Sequence, residues 1–316
     1  MQAVRLVPPP VLARVRDLGR EAIGSSPQAS KSAVFALSHG DTRFKLHVVG
    51  GAPWAHRVYA RWADGVEVFE LVMLECLTRL LRQTEQPAFM DVGAFMGHYA
   101  CYAAALLGDE EETYAVESNP EYCAAIMRSI ELNGFSRLKP FNAVLSDRIE
   151  DAEVEEQTVR LFDVAGGSEQ TVTLDELCRR ERIQPKILKI DVHGSEGKVL
   201  MGMQELLQRS VEYILLELHP IEVVREYSGQ IGAKDILSLL RRLGLHVFHV
   251  AGHRYRGSAE LAQALREGFA YRRLDEDSAD LLLLDRPLDV LLLCSRAADV
   301  TPILGPSVAD PGLNAW

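Results

Sequence analysis

Two stretches, Phe89-Met-Asp-Val-Gly-Ala-Phe-Met-Gly97 and Tyr114-Ala-Val-Glu-Ser-Asn-Pro120, constrain what this chain can fold into more than any others. Each is a short apolar run ending in an acid. The first leads into a glycine turn and the second into a helix start. Between them, Gly97 to Leu107 is alanine-rich and helical in character. Strand, glycine loop, helix, strand, acid is the sequence form of a nucleotide-binding βαβ half. Which nucleotide it takes decides the function.

The 316 residues suffice for one large α/β domain or two small ones, and a hydrophobic content of 47% argues against wholesale disorder. A net charge of −11 repels phosphate backbones, so no nucleic-acid partner is expected. No apolar run approaches the ~20 residues of a membrane span. Met1–Arg20 lacks the continuous apolar core of a signal peptide. The expectation is a cytoplasmic protein without a membrane partner. The cysteines at 76, 101, 123, 178 and 294 are scattered, which suits free buried thiols and not zinc.

Helical spacing is read at Val11–Ile23, Val68–Arg82, Gly194–Leu207, Ala233–Leu243 and Ala259–Glu267, and strands at Phe44–Val49, Ala88–Val92, Thr113–Glu117, Leu138–Leu145, Val159–Val164, Lys186–Val192, Tyr213–Leu218, His246–Val250 and Val290–Cys294. Asn119 caps a helix with Pro120 in its first turn and Gly134 at its end, and Thr173 caps Leu174–Glu181. The alternation argues for an α/β fold, a mostly parallel sheet with helices on both faces. The expected division is an N-terminal helical and strand extension over 1–85, a main domain over 86–296 with an insertion at 251–288, and a tail over 297–316.

A dinucleotide loop wants Gly-x-Gly-x-x-Gly and a Walker loop wants Gly-Lys-Ser/Thr; only Gly93 and Gly97 are present. Asp91 at the strand tip is unfavourable beside a phosphate, and no lysine in the loop offsets it. S-adenosylmethionine has no phosphate, and Asp91 can attract its ammonium. Glu117 is placed to accept from both ribose hydroxyls, a role shared with NAD sites.

The chain also resembles the FkbM-type methyltransferases, from about Ala88 to His219. The resemblance rests on Asp91-Val-Gly-Ala-Phe-Met-Gly-His-Tyr99, Ala115-Val-Glu-Ser-Asn-Pro120, Leu132-Asn-Gly134, Ala143-Val-Leu-Ser-Asp147, Thr173-Leu-Asp-Glu-Leu177, Leu188-Lys-Ile-Asp-Val-His-Gly-Ser-Glu196, Val199-Leu-Met-Gly202 and Leu215-Leu-Glu-Leu-His219. It implies a seven-stranded, Rossmann-like methyltransferase fold, S-adenosylmethionine as cofactor, and methyl transfer to a hydroxyl of a polyketide, sugar or other small metabolite. Ser118 stands where the family usually has proline, and His193 where it usually has glutamate. A non-catalytic binding or scaffold protein of the same fold, and a methyltransferase acting on protein, stay open, as does a homodimer.

Candidate cofactor contacts are Asp91, Gly93, Ala94, Phe95, Gly97, His98, Glu117, Ser118, Asp147 (toward the adenine amino group) and Asp191. Transfer to a hydroxyl needs alignment and a proton acceptor. Candidate catalytic residues are His193, then His219, with Asp191 at the acceptor. Lys189, in a buried strand, needs a partner, and a salt bridge suits it better than catalysis. Arg254, Arg256, Arg272 and Arg273 are either a lid for an anionic acceptor or a solvated surface. No ligand spacing dictates a metal, and none is expected.

Overall fold

The computed structural model describes residues 31–149, 171–229, 231–254, 257–275 and 289–308. The helix expected at Val11–Ile23 and the strand at Val159–Val164 lie outside these. The chain begins with an antiparallel hairpin, β1 (Ala33–His39) and β2 (Thr42–Val48), and continues through helices Pro53–Ala63 and Leu71–Gln83 into β3 (Phe89–Val92). Then come helix His98–Leu107, β4 (Thr113–Glu117), helix Pro120–Asn133 and β5 (Leu138–Asn142). The short β6 (Val144–Leu145) and β7 (Thr171–Val172) pair with each other. Beyond them are helix Leu174–Glu181, β8 (Ile187–Ile190), helices Glu196–Met201 and Gln204–Arg209, and β9 (Tyr213–Leu218). Helices Ile221–Ser228 and Ala233–Arg242, β10 (His246–Val250), helix Ala259–Glu267, β11 (Tyr271–Arg273), β12 (Val290–Ser295) and helix Thr301–Leu304 complete the order.

The main sheet has eight strands in the order β11-β10-β12-β9-β8-β3-β4-β5. From β9 to β5 neighbours are parallel; β12, β10 and β11 join antiparallel. The expected count was seven. The eighth strand is β11, which lies in the 251–288 segment and pairs with the outer edge of β10. Its three residues are too few to show alternation in sequence, yet they satisfy edge amides that would otherwise be open.

The chain runs from β3 outward to β5, then returns to β8 and on to β9, so its direction reverses between β3 and β8. In open parallel sheets the crevice beyond the carboxyl ends at such a reversal binds ligand. The period of two builds a core on each face. Phe89, Ala115, Ile187 and Leu215 join one core with the hairpin and the helices before residue 134. Met90, Val116, Leu188 and Ile214 join another with the helices after residue 171. On the first face the alternation continues upward to Asp91, Glu117, Lys189 and Glu217, so an apolar face turns charged at the carboxyl end of the strands.

Local signals placed several elements. The Asn119 side chain accepts from the amides of Glu121 and Tyr122, and Gly134 ends that helix at φ 68. Thr173 accepts from the Glu176 amide. All five cysteines are free and buried. No helix among the described residues is long and apolar enough to cross a membrane.

Candidate active site

A cavity of about 590 Å³ opens at the reversal point, within the size range of small-molecule sites. Its lining includes Gly93 and Phe95 from the glycine loop, Glu117 and Ser118 from the end of β4, and Ala143, Val144 and Leu145 beyond β5. Opposite stand Asp191, Val192 and His193 after β8, with Glu217 of β9. Trp54, Phe69, Glu70, His98 and Arg254 close the remaining side.

The glycine loop is shaped by its neighbours. Gly93 sits at φ +73, and a Cβ there would lie 1.8 Å from the Asp191 carbonyl oxygen. A side chain would therefore push β3 and β8 apart at their tips. Gly97, at φ +82, packs against Ile126, where a Cβ would come within 2.8 Å. Gly93 and Ala94 both donate their amides to the Val116 carbonyl (2.9 and 3.0 Å), Phe95 donates to Glu117 Oε2 (2.7 Å), and Gly97 donates to Ala94 (2.7 Å). These four amides are already paired, so a pyrophosphate would find none of them free.

Asp91 excludes phosphate less directly than its sequence position suggested. It is fully buried and does not line the cavity. Lys189, directly opposite on β8, lies 3.2 Å from its carboxylate. Burial pushes Asp91 up to about 6, against the pull of Lys189. Lys189 also lies 3.4 Å from Asp191 and donates to the Gly93 carbonyl at 3.0 Å, so its partner is a carboxylate pair and the loop itself. Burial alone would lower the Lys189 value; Asp91 and Asp191 outweigh it and raise it.

Glu117 is 8% exposed and lines the cavity. Its two oxygens accept from the Phe95 amide and from the Asn119 amide (2.8 Å), which fixes the carboxylate. Burial raises its pKa while these amides oppose the rise. Such a carboxylate beside a polar rim, with Val116, Ala143, Val144 and Leu145 as an apolar slot, fits a nucleoside without phosphate. Asp147 is exposed and outside the lining, its carboxylate accepting from Ser146 Oγ at 3.1 Å. Ala94 and Gly97 support the loop from below without lining the cavity.

His98 is not at the surface. It is 5% exposed, its Nδ1 pairs with Tyr59 Oη at 3.0 Å, and its Nε2 has no hydrogen-bond partner. Burial, assisted by Lys189, holds its pKa well below 6.5, so the ring is neutral.

Behind Asp191, and outside the cavity lining, the His219 Nδ1 pairs with Glu196 Oε1 at 2.8 Å, and Glu196 is fully buried. Burial disfavours the His219 charge, but Glu196, Asp191 and Asp289 outweigh it and raise its pKa to about 9. At neutral pH this ring already carries its proton and cannot accept another. His193, the other expected base, has an 85% exposed side chain with its Nδ1 3.9 Å from Asp191. Its backbone is left-handed, at φ 50.

Sequence patterns did not reveal Glu70, Trp54, Phe69 or His253. Glu70 accepts from Tyr99 Oη (2.8 Å) and from Arg254 (3.0 Å). Glu217 pairs with His253 at 2.8 Å and with Arg254. Burial opposes ionisation of Glu217, yet His253 and Arg254 hold its pKa low; burial and Glu217 raise that of Glu70. Arg254 also pairs with Asp289, so it is engaged by three carboxylates. It is not a free cation for an anionic acceptor. Arg256 lies outside the described residues, and Arg272 and Arg273 belong to β11. Trp54 stacks on Phe95 with ring centroids 5.2 Å apart, leaving an aromatic wall with Phe69.

A doubly wound α/β sheet with a cavity at its reversal point is a fold of the Rossmann-like methyltransferase type. Residues 91–247 match the "Methyltransferase FkbM domain" family model, and this part of the chain belongs to that family. The methyl donor that this family implies is S-adenosylmethionine. A hexuronic acid methyltransferase of Haloferax volcanii is 26% identical over 169 residues, spanning 51% of this chain and 64% of that protein. Among solved structures, a methyltransferase FkbM from Methylobacillus flagellatus aligns at 13% identity and TM-score 0.40, covering 78% of this chain and 54% of that one. Fibrillarin from Aeropyrum pernix, with S-adenosylmethionine bound, aligns at 11% and TM-score 0.40, covering 84% and 99%.

Proposed function

We propose that this protein is an S-adenosylmethionine-dependent O-methyltransferase acting on a hydroxyl of a glycosyl unit or similar small polyol. The observation that carries it is the two-sided cavity. Glu117 and the apolar slot stand on one side, Asp191 and His193 stand opposite with His219 behind them outside the lining, and Trp54 and Phe69 close the remaining side. When bound, the cofactor supplies an activated methyl group and a neutral leaving group. Glu117 would hold the ribose hydroxyls, and Val116, Ala143, Val144 and Leu145 the base. Trp54, Phe69 and Phe95 offer flat apolar faces of the kind on which sugar C–H groups pack. The acceptor hydroxyl would lose its proton beside Asp191 and His193, the members of that group that line the cavity. A sugar hydroxyl also agrees with the hexuronic acid named for the relative.

Calorimetry with S-adenosylmethionine and transfer of labelled methyl to a panel of glycosides test this. Glu117→Ala is expected to weaken donor binding at least tenfold, about 1.4 kcal/mol. His193→Ala is expected to spare donor binding and to lower turnover. Undiminished donor binding by Glu117→Ala, or methyl transfer to amines alone, would overturn the proposal.

A further inference from the structure

We propose that Asp191, His193 and His219 form a site for a divalent first-row transition ion, open toward the cavity. The two oxygens of Asp191 differ. Oδ2 faces Lys189 at 3.4 Å, whereas Oδ1 is buried and has no hydrogen-bond partner. That oxygen lies 3.9 Å from His193 Nδ1 and 3.9 Å from His219 Nε2. Such distances are too long for hydrogen bonds. A centre about 2.0–2.2 Å from each ligand atom would span them after a shift of a few tenths of an ångström. The ligand atoms of the three residues all lie within 4.8 Å of one another.

His219 is built like a metal ligand. Its Nδ1 is taken by the fully buried Glu196, whose same oxygen accepts from the Gly194 amide at 3.0 Å. A carboxylate behind one imidazole nitrogen fixes the ring and presents the other nitrogen outward, as in metal sites whose ligating histidine is held from behind. His219 Nε2 then faces Asp191 and, also at 3.9 Å, Asp289, and an ion bound there displaces to solvent the proton these carboxylates favour on the ring. The left-handed backbone of His193 brings its ring to 4.8 Å from that of His219. A non-glycine residue holding such a backbone is uncommon, and strain of this kind gathers at functional sites.

Two imidazoles and one carboxylate suit zinc, manganese, iron or cobalt better than magnesium or calcium, which prefer all-oxygen shells. Asp191 and His193 line the cavity, so the open positions of the ion face an acceptor. The ion's existence stands apart from the methyl-transfer reading, but its role rests on that reading: a hydroxyl on the ion is acidified and gives its proton to water. His193 is then a ligand and not a base. No sequence spacing announces the site, because β8 and β9 bring its members together.

The full chain, freed of metal with a chelator, is titrated with Co²⁺ while its visible absorption is followed. The expected result is one bound ion with a ligand-field spectrum that Zn²⁺ displaces. His193→Ala, safe for the fold because its side chain is exposed, and His219→Gln are each expected to weaken binding at least tenfold. Glu196→Gln is expected to weaken it roughly 10–100-fold through the orienting bond. His253→Gln, in the neighbouring Glu217 pair, is expected to bind Co²⁺ normally. No ligand-field spectrum, or wild-type affinity in both His193→Ala and His219→Gln, would overturn the proposal. The titration needs neither methyl donor nor acceptor, so its failure and that of the methyl-transfer reading are separate results.

Discussion

Asp91 shows how much of a residue's role depends on a partner far along the chain. Its folded pKa of about 6 lies above the unfolded value of about 3.9. The folded state therefore binds this proton more tightly than the unfolded chain. Stability from this group is fully present below pH ~4 and is lost as pH rises through about 6, by an amount on the order of 3 kcal/mol. Asp91→Asn is expected to flatten the pH dependence of stability over that window, as read by urea unfolding at pH 4 and pH 7. An unchanged slope would mean that the buried carboxylate is neutralised some other way. The capping roles of Asn119 and Thr173 were legible because each bond spans two or three residues. That Lys189 needs a partner was legible from its place in an apolar strand. That the partner includes Asp91 was not, because it depends on the β3–β8 register across nearly a hundred residues. For the same reason the acid before the glycine loop reads as a ligand contact when it is an interior ion pair.

At the scale of elements, long periodic segments were found and their interruptions were not. Helical spacing over Gly194–Leu207 reads as one helix, but the chain makes two, with a break at Gly202. A Cβ on Gly202 would lie 2.1 Å from the Ser146 carbonyl oxygen, so the chain passes too close to the end of β6 for any side chain. A sequence alone does not show which strand end a helix will cross. Gly202→Ala must push Ser146 away, and with it Leu145, which lines the cavity. Overpacking of this kind costs about 1–3 kcal/mol. The expected outcome is a lower midpoint in thermal unfolding together with weaker S-adenosylmethionine binding. A normal midpoint with normal donor affinity would show that β6 yields freely. The hairpin of β1 and β2 offers a parallel case. Only β2 was read from alternation, yet its Lys45 and His47 amides donate to Asn133 (2.7 Å) and Ser129 (2.9 Å) of the helix Pro120–Asn133. The extension is thereby tied to the nucleotide unit, and its following helix delivers Trp54 to the cavity.

Across the whole molecule, charge decides which acceptors the cavity tolerates. Four carboxylates (Glu70, Glu117, Asp191, Glu217) and two permanent cations (Lys189, Arg254) line it, so by formal charge four minus two leaves an excess of two negative charges, which the net single positive charge of bound S-adenosylmethionine reduces to one. Neither cation is free, since Lys189 serves Asp91 and Asp191 while Arg254 serves Glu70, Glu217 and Asp289. A neutral sugar brings no net charge into that field. A hexuronate carries its own negative charge into this field, at a cost of about 1–2 kcal/mol per excess charge at separations near 8 Å and an effective dielectric constant near 20. The chelator-washed protein with donor bound is therefore expected to bind a neutral hexoside at least tenfold more tightly than the matching hexuronate. Raising the salt concentration shortens the screening length to about 3 Å at 1 M and should narrow that gap. Loading the Asp191–His193–His219 site with a divalent ion should narrow it as well, by offsetting the excess and offering the uronate a ligand position. Equal affinity for both sugars in the chelated protein at low salt would show that the cavity's carboxylates do not select the acceptor. In that case a uronate would remain as good a candidate as a neutral sugar.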